Sequence, residues 1–262
     1  MNEIDLLREQ AAQARRLVVD MAGSAVGCHL GGSLSVLDIL MAAYAVARSR
    51  PGTEVVLSKG HAAAALYAVL HMNGVIEENP APLYGRAGSP YTGHPGPKVP
   101  GVRFPTGSLG HGLAYAVGWA LSRRLLGQPG GAIAVVGDGE LQEGLVWEAL
   151  QVAQAQHSAG RIGGLTMVVD VNGGQNDGYV ADISPLTDLP ARLAAFGFEV
   201  FEVDGHDIEK LMAAIVPAGR PKAVLAATVK GKGVPATEGK AASHYVKVSP
   251  ARARQWRAAI RP

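Results

Sequence analysis

From Ala132 onward the chain alternates short apolar runs with helical stretches, and few architectures can absorb such a pattern. AIAVVG (132–137) and LTMVVDV (165–171) are apolar almost without a break. Strands read that way when both faces of their sheet are covered. FEVFEVDG (198–205) and KAVLAATV (222–229) follow as further strands, and ELQEGLVWEALQVAQAQ (140–156), LPARLAAFG (189–197) and DIEKLMAAIV (207–216) read as helices between them. Buried strands spaced by helices predict an α/β fold on a doubly wound, mainly parallel sheet. Ligands of such sheets sit beyond the carboxyl ends of the strands, so those turns are where chemistry is sought.

Upstream, residues 3–24 read as an amphipathic helix with Leu6, Leu7, Leu17, Val18 and Met21 on one face. GCHLGGSLS (27–35) reads as a glycine-rich turn, SVLDILMAAYAVA (35–47) as a helix, EVVLS (54–58) as a strand and KGHAAAALYAVLHMNG (59–74) as helical. From Pro80 to Thr106 the chain is rich in Pro and Gly. A segment of that length without regular structure is usually functional. A helix from Leu109 to about Leu126 follows, and no repeat or linker divides residues 1–262, so one domain is expected.

Composition enters mainly through exclusions. A net charge of +2 supplies no field to steer nucleic acid or an anionic membrane. One cysteine, Cys28, permits no intrachain disulfide. The start carries charges throughout, and no uninterrupted apolar run reaches the ~18 residues of a membrane span. The expected location is the cytoplasm. Arg252, Arg254, Arg257 and Arg261 cluster near the end and read as one face of a terminal helix or tail.

Gly137-Asp138-Gly139 stands directly after the AIAVVG strand and before a helix. Glycines let the backbone turn sharply, and a helix start offers free N–H groups to phosphate. Asp138 itself repels a bare phosphate, so a carboxylate there makes sense with a divalent cation between the two. The next strand ends in Asp170-Val171-Asn172-Gly173-Gly174. Adjacent parallel strands bring Asp138 and Asn172 together, and with the Gly174 carbonyl they give three hard oxygen ligands, suited to Mg²⁺ or to Ca²⁺. A tight turn with an ordinary helix-start aspartate is the plainer alternative. Four histidines (His29, His61, His94 and His244) fall on glycine-rich turns rather than within helices. Histidine is the usual proton carrier near neutral pH.

These segments together resemble the N-terminal half of transketolases, the thiamine diphosphate-dependent ketol transferases. HLGGSLSVLDIL, LSKGHAAAALYAVL, GHPGPKVPGVRFPTGSLGHGLAYAVGWAL, GDGELQEGLVWEAL, DVNGGQNDG, VDGHD and TVKGKGV…SHY match the family's segments in order along the whole chain. The resemblance implies a thiamine diphosphate-binding fold of the diphosphate-binding type. It gives metal ligation (Mg²⁺, with Ca²⁺ or Mn²⁺ as substitutes) to Asp138, Asn172 and the Gly174 carbonyl. Cofactor contact falls to His61, the Gly107-Ser108-Leu109 turn, Gly137, Asp138, Gly139, Asn172 and His244. His29, His94 and His244 line the substrate channel and move protons, and Glu143 reaches across a subunit interface.

Family members of full length continue into a domain that binds the pyrimidine ring and supplies an activating glutamate. No segment here resembles it, so a partner C-terminal subunit is expected, in a two-plus-two heterotetramer acting on ketose and aldose substrates. Some positions depart from the family pattern: Cys28 for glycine, His111 for glutamine, Tyr245 for glycine and Asn176 for an apolar residue. The Asp138–Asn172 separation is four residues longer than the family pattern, an insertion placed in AQAQHSAGRIGG. A specialised ketol or acyl transfer in secondary metabolism and a non-catalytic regulatory subunit stay open as alternatives. The histidine set speaks against a pyruvate-type donor.

Overall fold

The computed structural model describes residues 2–261. Helix α1 (Glu3–Ala22) starts where the Asn2 side chain accepts the Asp5 N–H at 2.8 Å. Leu7, Leu17, Val18 and Met21 are buried as the periodicity predicts, whereas Leu6 points outward, 42% exposed.

Helix α2 (Leu30–Arg48) begins five residues earlier than the sequence pattern predicts. Gly31 and Gly32 are helical, not a turn. Their role is close approach: a Cβ on Gly31 would sit 2.4 Å from Ser243 Oγ. This helix is long and apolar enough to cross a membrane, but 89% of that stretch lies inside the fold. It is the central core helix of one layer.

Strand β1 (Glu54–Leu57) leads through a 3₁₀ turn (Gly60–Ala62) into α3 (Ala63–Met72). Between α3 and α4 (His111–Leu125) the only regular element is a second 3₁₀ turn, Ala81–Leu83. Then come β2 (Ala132–Gly137), α5 (Gly144–Ser158), β3 (Leu165–Val171), the short α6 (Val180–Ile183), α7 (Leu189–Ala195), β4 (Glu199–Asp204), α8 (Ile208–Ile215), β5 (Lys222–Ala227) and α9 (Pro250–Ala259). Ser249 caps α9 and Pro250 opens it, so Arg252, Arg254 and Arg257 are on a helix and Arg261 lies just past it, all four exposed.

The five strands form one sheet, all parallel, in the order β1-β2-β3-β5-β4. β2 is buried at every position, while the edge strand β4 stays half open. Side chains alternate between two layers. Ile133, Val135, Val168 and Val224 pack with α1, α2, α3 and α8, while Ala134, Val136, Met167 and Leu225 pack with α4, α5 and α7. The register ends the inner strands together, Gly137 beside Asp170 and Val171 beside Ala227. Four strand-end turns therefore open on one edge: 58–61, 137–139, 172–174 and 228–231. The segment expected to hold the four-residue insertion leads into the opposite, amino end of β3.

Candidate active site

A cavity of 250 Å³ opens along that carboxyl edge. Its floor is built from two turns. The Asp138 N–H donates to the Asp170 carbonyl at 3.2 Å, and the Gly173 N–H donates to Asp138 Oδ2 at 2.6 Å. The Gly139 N–H donates to Oδ1 at 2.8 Å, and the Gly174 N–H donates to Asn172 Oδ1 at 3.0 Å. Asp138 and Asn172 are thus brought together as the strand pairing requires. Burial, reinforced by the Asp170 charge, pushes Asp138 up to about 6. A carboxylate held so unfavourably gains most from a cation. The hard-oxygen donor set fits Mg²⁺ or Ca²⁺, and Gly174 leaves the room: a Cβ there would meet Lys230 Cδ at 2.9 Å.

The histidines converge above this floor. His29 is the cap residue before α2, His61 lies in the 3₁₀ turn after β1, and His244 follows a 3₁₀ turn at 241–243. His94 sits in the long loop, where the Tyr67 hydroxyl donates to its carbonyl at 3.1 Å. The His29 ring centroid lies 5.5 Å from His61, 5.6 Å from His94 and 5.2 Å from His244. A two-residue backbone ladder sets this meeting, with Cys28 and Val246 exchanging N–H···O bonds of 3.0 and 2.9 Å. Burial and then the neighbouring His94 hold His29 down at about 4; burial and then Lys230 do the same for His244. Burial and Lys59 keep His61 well below its usual value, and burial lowers His94. The ring is therefore a neutral cluster at pH 7, able to donate from one nitrogen and accept at the other. His29 Nδ1 is buried without a hydrogen-bond partner among the described residues.

His29, His61, His94, Gly107, Leu109, Gly137, Asp138, Gly139, Asn172, Gly174 and His244 all line the cavity. Ser108 and Glu143 do not; both are exposed, and Glu143 stands before α5 without capping it. Of the departures from the family pattern, Asn176 lines the cavity and His111 is exposed. Tyr245 is edge-on to His29 at 4.9 Å, with its hydroxyl donating to the Val26 carbonyl at 2.8 Å. Cys28 is fully buried with its thiol toward the Val18 carbonyl, filling space rather than shaping the channel.

Sequence reasoning missed the charged framework. Lys59 and Asp170 form a buried ion pair at 2.5 Å. Burial opposes ionisation of Asp170, but Lys59 and the Ser35 and Thr228 hydroxyls outweigh it and hold the carboxyl low. Lys230 also lines the cavity; burial and Lys59 lower it to about 8. Glu140 accepts from the Ser58 hydroxyl and from the N–H groups of Gly110 (2.8 Å) and Gly137 (3.0 Å), tying three turns of the site together. The available signal was a charged residue within or just past an apolar strand: Asp170 in VVDV and Lys59 directly after EVVLS. A larger cavity of 870 Å³ shares Asp138 with it but is walled largely by apolar side chains such as Leu186 and Leu189, and among the described residues no histidine or lysine lines it. Proton-transfer groups concentrate in the smaller one.

Residues 7–260 match the family described as transketolase, thiamine diphosphate binding domain. A subunit of the 6-deoxy-6-sulfo-D-fructose transketolase of Clostridium sp. is 35% identical, over 98% of this chain and 96% of its own. A subunit of the apulose-4-phosphate transketolase of Actinobacillus succinogenes is 36% identical, over 92% and 90%. The crystal structure of Campylobacter jejuni transketolase superposes with a TM-score of 0.85 at 30% identity, covering 98% of this chain and 43% of that one.

Proposed function

Since the chain belongs to the transketolase family through its thiamine diphosphate binding domain, we propose that it is the diphosphate-binding subunit of a two-component transketolase. The reaction moves a two-carbon ketol unit from a ketose donor to an aldehyde acceptor. The observation that carries this reading is the position of four neutral histidines directly over the Asp138–Asn172 floor. Two relatives of nearly the same span are themselves named as transketolase subunits, which supports the split organisation.

Thiamine diphosphate, when bound, supplies the electron sink for carbon–carbon cleavage. The rest is work for this chain. Asp138, Asn172 and the Gly174 carbonyl would hold Mg²⁺, with Lys59, Lys230 and His61 facing the diphosphate. Lys230, at about 8, remains mostly protonated at neutral pH and supplies positive charge there. His29 and His244 orient substrate hydroxyls and move protons at the donor and acceptor oxygens, and His94 lines the approach. Glu143, exposed before α5, is free to meet a partner subunit. That partner would supply the pyrimidine-binding glutamate in a two-plus-two assembly.

The test is reconstitution. Purified chain and a co-purified partner, given Mg²⁺ and thiamine diphosphate, should transfer a ketol unit from a ketose phosphate to an aldose, and neither chain alone should do so. Absence of transfer across a donor screen with both chains present would overturn the reading.

A further inference from the structure

A second polar cluster, lining a cavity that shares no residue with the histidine site, is bonded to the segment that carries Lys230. Arg15 of α1 and His206, in the turn after β4, both bond Oδ2 of the buried Asp38 in α2, His206 through Nδ1 at 2.8 Å. The other ring nitrogen, Nε2, lies 2.9 Å from the Val229 backbone nitrogen. A backbone N–H can only donate, so Nε2 must be bare and accepting. The ring proton is then on Nδ1 and is donated to Asp38. The opposite tautomer and the imidazolium would each set donor against donor at Val229.

The Val229 N–H lies just past the end of β5 at Ala227, outside the sheet ladder. Its neighbours reach the site on both sides. The Thr228 hydroxyl donates to Asp170, which holds Lys59. Lys230 lies over Gly174, with its ammonium 3.3 Å from the Gln175 carbonyl. The Gly231 N–H donates to the Gly31 carbonyl at 3.0 Å, two residues from His29.

We propose that His206 is a positioning residue: as its Nδ1–H tautomer, anchored on Asp38, it holds the Val229 amide and thereby fixes Lys230 in the diphosphate site. The inference rests on the reading of the cavity given above. It goes beyond that reading by assigning a task to a side chain that does not line the cavity.

The test uses the full chain, with magnesium pyrophosphate as the calorimetric probe and His206→Leu and His206→Gln as variants. Leucine keeps most of the volume and removes the acceptor, whereas glutamine restores an acceptor for Val229. The Leu variant should bind roughly tenfold more weakly, the order seen when an outer partner of a binding group is lost. Its Val229 amide should exchange faster, and the Gln variant should recover most of the affinity. Equal binding by wild type and the Leu variant, or equal loss in both variants, overturns the proposal. ¹⁵N-histidine spectra of the unmutated chain give a check independent of variant folding. At pH 7.5 the His206 resonances, assigned by their loss in the Gln variant, should show a protonated Nδ1 and a bare Nε2; an Nε2–H ring contradicts the proposal. If wild type fails to bind the probe, the diphosphate reading itself fails, and the ring spectra show separately whether the tautomer stands.

Discussion

Replacing Asp170 by asparagine should destabilise the chain more than any comparable surface change, and the reason lies in what it leaves behind. Asp170 is wholly buried and faces Lys59 at 2.5 Å, the Ser35 hydroxyl at 2.6 Å, the Asn172 amide at 3.2 Å and the Thr228 hydroxyl. The Lys59 side chain is only 2% exposed, so loss of the carboxylate strands an almost wholly buried ammonium. Breaking one side of a buried pair costs about 3–5 kcal/mol. For a chain of this length each kcal/mol lowers the melting midpoint by about 2–4 °C, so a fall of roughly 6–20 °C is expected. Urea unfolding of the purified chain measures the free energy directly. The double variant Lys59→Met with Asp170→Asn removes the stranded charge and should be more stable than Asp170→Asn alone. A cost under about 1 kcal/mol for the single change, or a double variant as unstable as the sum of its parts, would refute the argument.

His29→Ala and His244→Ala should each lower turnover of the reconstituted enzyme by ~10²–10⁴-fold, while calorimetry shows cofactor binding largely kept. The same two rings predict an acid limb of stability. Folded, they titrate at about 4, against the ordinary 6.5. Between those values the unfolded chain binds more protons, so stability declines as pH falls through that window and is fully present above it. Thermal midpoints from pH 7 to pH 4 should drop less steeply when both are asparagine. Glu140→Gln puts an amide N–H against one of the three donors that Glu140 now satisfies, and should cost about 1–3 kcal/mol in urea unfolding.

The sheet was legible because burial on both faces writes itself into the sequence. AIAVVG and LTMVVDV are strands over the residues expected. The start of α2 was not, because glycine signals a turn by default, and only the close packing against Ser243 explains Gly31 inside a helix. The terminal helix lacks an apolar stripe, with only Ala253 buried, so periodicity gave little purchase there. In the site, the histidines and the Asp138 and Asn172 turns come from motifs with glycine neighbours and could be found. The charged framework could not: Lys59, Asp170, Glu140 and His206 act through partners distant in sequence, such as Glu140 on Ser58 and His206 on Val229. Ser108 and Glu143 entered by resemblance alone; both are exposed and neither lines the cavity.

The central claim is that Asp138 anchors a cation-bridged diphosphate. Calorimetry of thiamine diphosphate binding to the chain, with and without Mg²⁺, tests it for wild type and Asp138→Ala. Metal-dependent binding in wild type that disappears in the variant is the predicted result. Equal affinity in the two proteins, or binding indifferent to Mg²⁺, would contradict it.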